Sequence, residues 1–177
     1  NFNNKVIFFF FFDSSTLSTN DIRYFYAELG KNRTFELKSK VKGTLNDFYA
    51  ANLNLRDDKN SIIRGDVNFK NLFPRSPGEF YMDGDFKKIT SNYDDLTTLL
   101  PNVLGEKLPT SLKKLGQFQF TGKTEVTQTY INADFVMNTA LGLVESDLHM
   151  ENIDNIDNAK YKGNVILDNF DVGAILN

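Results

Sequence analysis

Hydrophobic and polar residues alternate along most of this chain. In FELKSKVKGTL, Phe35, Leu37, Val41, Gly43 and Leu45 fall on one side and Glu36, Lys38, Lys40 and Lys42 on the other, the period-two signature of a strand with one buried face. YAANLNL groups Tyr49, Ala51, Leu53 and Leu55 against Asn52 and Asn54, and IRGDVNF groups Ile63, Gly65, Val67 and Phe69 against Arg64, Asp66 and Asn68. Phe80, Met82, Gly84 and Phe86 continue the pattern, and Phe118, Phe120, Gly122, Thr124 and Val126 resume it after an interruption. Ile131, Ala133, Phe135 and Met137 follow, then Gly142, Val144, Ser146, Leu148 and Met150, and last Tyr161, Gly163, Val165 and Leu167. Each segment predicts a strand with one apolar and one wet face.

Glycine recurs on the apolar side at 43, 65, 84, 122, 142 and 163, about every twenty residues apart from one longer step that holds a helical insertion. One glycine per pair of strands, with short polar turns between, describes a meander that grows in one direction. A residue without a side chain on that face lets the sheet bend sharply or lets something approach closely, so a curled sheet is expected. Two segments break the alternation. STNDIRYFYAELGKN offers Ser18 or Thr19 as N-cap, Asp21 in the first turn, Ile22, Phe25, Tyr26 and Leu29 at helical spacing and Gly30 as the stop. SNYDDLTTLLPNVLGEKLPTSLKKLG starts at Ser91 with Asp94 or Asp95, runs through Leu96, Leu99 and Leu100, breaks at Pro101 and Gly105, and resumes from Pro109 to Leu115. Helices this short need an apolar surface, with Leu96, Leu99, Leu100 and Leu112 expected to cover an edge or a groove mouth.

The run VIFFFFF, Val6 to Phe12, departs from the alternation. It is far shorter than the roughly 20 residues of a spanning helix and no small-residue cleavage site follows it, so it reads as a strand buried on both faces. With 177 residues and 41% hydrophobic content the chain suits one medium domain or a section of a longer array, and its start at Asn1 suggests an excerpt or a processed product. A net charge of −3 with interspersed signs makes nucleic acid an unsuitable partner. The absence of cysteine removes disulfides, thiolate zinc sites and thiol nucleophiles together.

Candidate chemistry is sparse. His149, the one histidine, alternates to the face opposite Leu148 and Met150 and lacks the further donors of a metal site. The oxygen-rich stretches at 57–59 and 154–158 fit turn chemistry and lack the spaced ligands and bend glycine of a calcium loop. Asp66, Asp83 and Asp85 flank strand glycines, but they alternate outward among lysines as a solvated face does. No phosphate loop, nucleophile elbow or dinucleotide fingerprint is present. No catalytic residue, metal or cofactor is therefore assigned, and a non-enzymatic role is expected. An apolar sheet face must meet a second sheet, its own curled other half, or lipid chains. A sealed β-sandwich, as a structural or adhesion module, satisfies the same pattern.

LSTNDIRYFYAELG, KGTLNDF, YDDLTTLLPNVLGEKLPTSLKKLG and NIDNIDNAKYKGNVILDNFDVG resemble the middle region of TamB-like proteins of the AsmA-like superfamily, from about residue 14 to the C-terminus. The resemblance implies an all-β fold with short helical insertions at about 19–30 and 91–116, a long antiparallel meander curled into a groove (a β-taco, or repeating β-groove), with residues 1–177 as a single section of it. It implies a periplasmic bridge, anchored in the inner membrane by an N-terminal helix and meeting an outer-membrane barrel of the Omp85 family (TamA-like), both through regions outside this sequence. Phospholipid acyl chains would lie along Phe35, Leu37, Val41, Tyr49, Leu53, Ile63, Val67, Phe69, Phe80, Met82, Phe86, Phe118, Phe120, Val126, Phe135, Val144, Leu148, Met150, Tyr161 and Val165. A scaffold that assists outer-membrane protein assembly through exposed strand edges is the alternative role.

Overall fold

The computed structural model describes residues 2–24, 29–59, 61–72, 80–99, 101, 108–153 and 155–176. Phe25, Tyr26, Leu100 and Gly105 of the expected helices lie outside them. The strands are β1 (Phe8–Ser18), β2 (Thr34–Gly43), β3 (Phe48–Asp57), β4 (Ile62–Lys70), β5 (Tyr81–Asn92), β6 (Gln117–Thr127), β7 (Tyr130–Thr139), β8 (Gly142–Glu151), β9 (Lys160–Lys162) and β10 (Val165–Asp168). They form one ten-stranded antiparallel sheet in sequence order, with β9 and β10 following one another along the same side of β8. The sheet is curled but does not close: β1 is one edge and β9 with β10 the other. Among the described residues every strand belongs to this sheet, so the two-sheet sandwich is not the architecture adopted.

The registers decide which side chains share a face, because residues opposite each other in an antiparallel pair point the same way. Three β-bulges adjust them, between Phe12 and Ser15 in β1, around Asn52 in β3 where it passes Ser39 of β2 and Asp66 of β4, and at Lys87 and Lys88 in β5. The Asn52 bulge overturns one expectation. Asn52 takes a left-handed φ of 51° and its backbone N–H donates to Asp66 Oδ1 at 2.8 Å, which inserts an extra residue in β3 opposite Asp66. Strict alternation placed Tyr49 and Ala51 with Leu53 and Leu55. In the structure Ala50 and Phe48 join the apolar face instead, while Tyr49 pairs with Lys42 and Asn68 on the outer face and is 46% exposed. Tyr49 is thus removed from the apolar wall.

The phenylalanine run needs a second correction. Phe8, Phe10 and Phe12 stand opposite Gly43, Val41 and Ser39 on the apolar face, with rings 4.6 and 5.8 Å apart in succession. Phe9 and Phe11 stand opposite Lys42 and Lys40 on the outer face and are 61% and 76% exposed. The strand is not buried on both faces, because it is an edge with β2 as its one partner among the described residues.

The mid-strand glycines have a specific cause. A Cβ on Gly122 would lie 2.3 Å from the Asp134 carbonyl oxygen and 2.6 Å from Phe135 Cα on β7, and one on Gly65 would lie 2.3 Å from the Asp85 carbonyl oxygen and 2.9 Å from Phe86 Cα on β5. Gly43 against Asp47 and Phe48, and Gly163 against Asp147 and Leu148, repeat this arrangement. At these four the close approach is of neighbouring backbone, and the residue pair facing the glycine is an aspartate followed by a large apolar residue; Gly142 faces Asn169 and Phe170, and Gly84 instead makes room for the Phe86 ring of its own strand.

The connections after β1 and β5 leave the same rim of the sheet. Helix α1 (Phe2–Lys5) precedes β1 at the opposite rim, and α2 (Thr19–Ile22), capped by Ser18 Oγ accepting from the Asn20 N–H at 3.2 Å, is a single turn. Helix α3 (Tyr93–Leu99) begins one residue later than expected: Asn92 Oδ1 accepts from the Asp95 N–H at 2.9 Å, while Ser91 belongs to β5, opposite Phe118. A tight helical turn (Thr110–Leu115) and α4 (Val172–Leu176) complete the rim. The Gly30 N–H donates to the Leu99 carbonyl at 2.7 Å, so the two insertions meet. Beneath them Arg33, 3% exposed, pairs with the buried Asp57 and, at 2.8 Å, with Asp58. Thr19 is fully buried: its Oγ1 accepts from the Arg33 N–H at 3.0 Å and its own N–H donates to the Arg33 carbonyl at 2.8 Å.

Candidate functional site: an apolar wall across the sheet

Cross-strand registers assemble the apolar residues into rows perpendicular to the strands. One row runs Phe8, Gly43, Phe48, Phe69, Met82, Val126, Ile131, Met150, Tyr161, from β1 to β9. Another runs Ser15, Leu37, Leu55, Ile63, Ile89, Phe120, Met137, Val144, Leu167, from β1 to β10. Between them lie Phe10, Val41, Ala50, Val67, Gly84, Thr124, Ala133 and Leu148 in one row, and Leu53, Gly65, Phe86, Gly122, Phe135, Ser146 and Val165 in the next. None of these rows contains a charged residue. At about 4.8 Å per strand, the wall extends roughly 40 Å across the sheet.

Packing within the wall is partial. Phe35, Ala50, Val67 and Phe86 are the buried hydrophobics among the described residues. Leu37, Val41, Leu53, Ile63, Phe69, Met82, Phe118, Phe120, Val126, Phe135, Val144, Leu148 and Met150 are half-buried, and Tyr161 and Val165 at the edge are exposed. Phe80 is half-buried immediately before β5. A sheet sandwiched on this face would bury these side chains, whereas here they pack on one another and keep one side free. Aromatic contacts join strands within a row, Phe48 to Phe69 at 5.0 Å, and bind neighbouring rows, Phe86 to Phe120 at 6.4 Å and Phe120 to Phe135 at 5.1 Å. Of the rim leucines, Leu96, Leu99 and Leu112 are half-buried, with α3 packed on β5 and on the 110–115 turn.

The opposite face is polar and internally paired. Asp85 stands across from Asp66, a like-charge pair relieved by Lys87, whose Nζ lies 2.9 Å from Asp85 Oδ1 and holds that carboxyl below its ordinary range. Glu125 accepts from Asn132 Nδ2 at 2.8 Å and from the Tyr130 hydroxyl at 3.0 Å, which lowers its carboxyl as well. Burial, and then the Glu125 charge, pushes the Tyr81 hydroxyl up to about 12. His149 lies on this face between Asn132 and Glu151. Among the described residues no group of His, Cys, Asp or Glu is arranged to hold a metal ion, and no helix is long and apolar enough to cross a membrane.

Sequence reasoning missed three things at the wall. Ser39 and Ser91 lie on the apolar face with the expected Thr124 and Ser146, Ser39 satisfied by the Ala51 carbonyl at 3.1 Å and Ser91 by Ser61 at 2.9 Å. The Arg33 and Asp57 pair joins residues too far apart in sequence for any local signal. The aspartate and aromatic pairs facing the glycines were legible, at 47–48, 85–86 and 134–135, had they been set against the glycine period. No family model, no curated protein and no solved structure matches this chain.

Proposed function

We propose that the apolar wall is a track for lipid acyl chains, and that this chain is a section of a TamB-like, AsmA-like bridge carrying phospholipid between inner and outer membranes in the periplasm. The observation that carries this reading is the run of uncharged rows from β1 to β9, half-buried and uncovered by a second sheet among the described residues. An acyl chain gains about 0.8 kcal/mol per methylene on leaving water, so it crosses water slowly yet slides along a continuous apolar wall at little net cost. Headgroups stay at the free side, in water. The mechanism is diffusion along the wall, without chemistry.

A charge on the wall tests it. Phe69→Asp or Val144→Lys places an ionised group among apolar rows, with a desolvation cost of several kcal/mol for any acyl chain that must pass. Cells carrying either variant in the full-length protein are expected to lose lipid transfer and outer-membrane integrity, while Glu145→Lys, on the outer face opposite Ile166, is expected to be silent. Normal transfer by the folded Phe69→Asp and Val144→Lys variants would refute the track. The scaffold reading, with an Omp85-type barrel as partner, draws on a different feature, the exposed edge residues Tyr161, Val165, Ile166 and Leu167. Loss of barrel assembly on edge substitution, with wall variants fully active, would favour it.

A further inference from the structure

The outer face of β1 and β2 differs from the rest of the outer face. Lys38, Lys40 and Lys42 project from β2, all exposed, and between Lys40, Lys42 and the sheet edge stand Phe11 and Phe9. Lys42 Nζ lies 5.3 Å above the Phe9 ring, and Tyr49 flanks Lys42 on the other side. Asp13, fully exposed and 3.7 Å from Lys38, and Glu36, exposed on the same face of β2, are carboxylates beside them. Farther along, the same face carries an acidic excess, with Asp66, Asp83, Asp85, Glu125, Asp134, Glu145 and Asp147 outnumbering Arg64, Lys70, Lys88 and Lys123 across β4 to β8. We propose that the Phe9, Phe11, Lys40 and Lys42 patch is a docking surface for an anionic membrane.

Charge and chemistry select this occupant. Lysines attract an anionic lipid surface, and rings beside them enter the headgroup region while the ammonium groups remain among the phosphates. Phe9 and Phe11, at 61% and 76% exposure, present more ring surface to solvent than a strand needs for pairing with β2. The acidic remainder of the face is repelled by the same surface, so contact is confined to the β1 edge and orients the sheet across the membrane plane. The inference is independent of the apolar wall, which lies on the opposite face.

The chain contains no tryptophan, so Phe11→Trp provides a single reporter. Purified Phe11→Trp protein is expected to show blue-shifted emission on vesicles of phosphatidylcholine mixed with phosphatidylglycerol, none on phosphatidylcholine alone, and a loss of the shift as salt is raised. Lys40→Gln and Lys42→Gln in that background should each weaken binding about fivefold. Phe11→Ser in the otherwise unaltered chain should weaken co-sedimentation with the mixed vesicles roughly tenfold, and circular dichroism should be unchanged in every variant. No shift on the mixed vesicles overturns the proposal, and so does a shift that survives both lysine substitutions. Lysine-dependent self-association without vesicle binding also overturns it, and assigns the patch to the acidic face of a second copy.

Discussion

Gly122→Ala is expected to lower the stability of the sheet by about 3 kcal/mol or more. The added Cβ would fall 2.3 Å from the Asp134 carbonyl oxygen and 2.7 Å from Phe135 Cβ, at a φ of 158° that residues with side chains rarely adopt. Neither neighbour yields easily, since one is backbone of the adjacent strand and the other begins a ring stacked on Phe120. For a chain of this length the loss corresponds to a fall of roughly 10 °C in Tm. Gly173→Ala in α4, where the nearest atom is Asp171 Oδ1 at 3.3 Å, should leave Tm unchanged or slightly raised. Thermal unfolding of both variants checks the comparison, and a Gly122→Ala protein that melts with the parent would show that the repeat does not depend on close backbone approach.

Arg33→Met is expected to cost about 3–5 kcal/mol, because it leaves Asp57 charged, buried and without its cation. Asp57 is also held in the β3–β4 turn, where its Oδ1 accepts from the Lys59 N–H at 2.9 Å and the Ser61 N–H at 2.7 Å. Asp57→Asn keeps an oxygen for those bonds while removing the charge. The double variant Arg33→Met with Asp57→Asn should therefore recover much of the stability lost by Arg33→Met alone, and a denaturant-based double-mutant cycle measures the recovery. A fall of less than 1 kcal/mol for Arg33→Met would mean the pair is solvated and not the anchor of the rim.

The repeat was legible because period-two alternation survives in every strand that carries no bulge residue of its own, as in β4, β6, β7 and β8. It failed at Tyr49, where one left-handed asparagine shifts the register by a residue and reverses everything on its far side. Asn52 resembles the other polar positions of its strand, and the contact that stabilises the bulge comes from Asp66 on a neighbour. Five consecutive phenylalanines carry no alternation to read, so only the register with β2 assigns their faces. Glycine marked the positions of close approach but not what approached. That needed the partner strand, where Asp134 and Phe135 sit across from Gly122. The polar rim was least accessible, because Arg33, Asp57, Ser61, Ser91 and Asp95 are brought together by strand order alone.

The central claim is that the apolar wall meets lipid, and site-specific photo-crosslinking in cells tests it most directly. A photoreactive residue at Phe69 or Phe120 lies on the wall in the rows that cross the whole sheet, and one at Asn68, opposite Tyr49 and Asp83, lies on the outer face. Mass spectrometry of the irradiated protein should find phospholipid adducts at positions 69 and 120 and none at position 68. Protein adducts alone at 69 and 120, or lipid adducts equally abundant at 68, would contradict it.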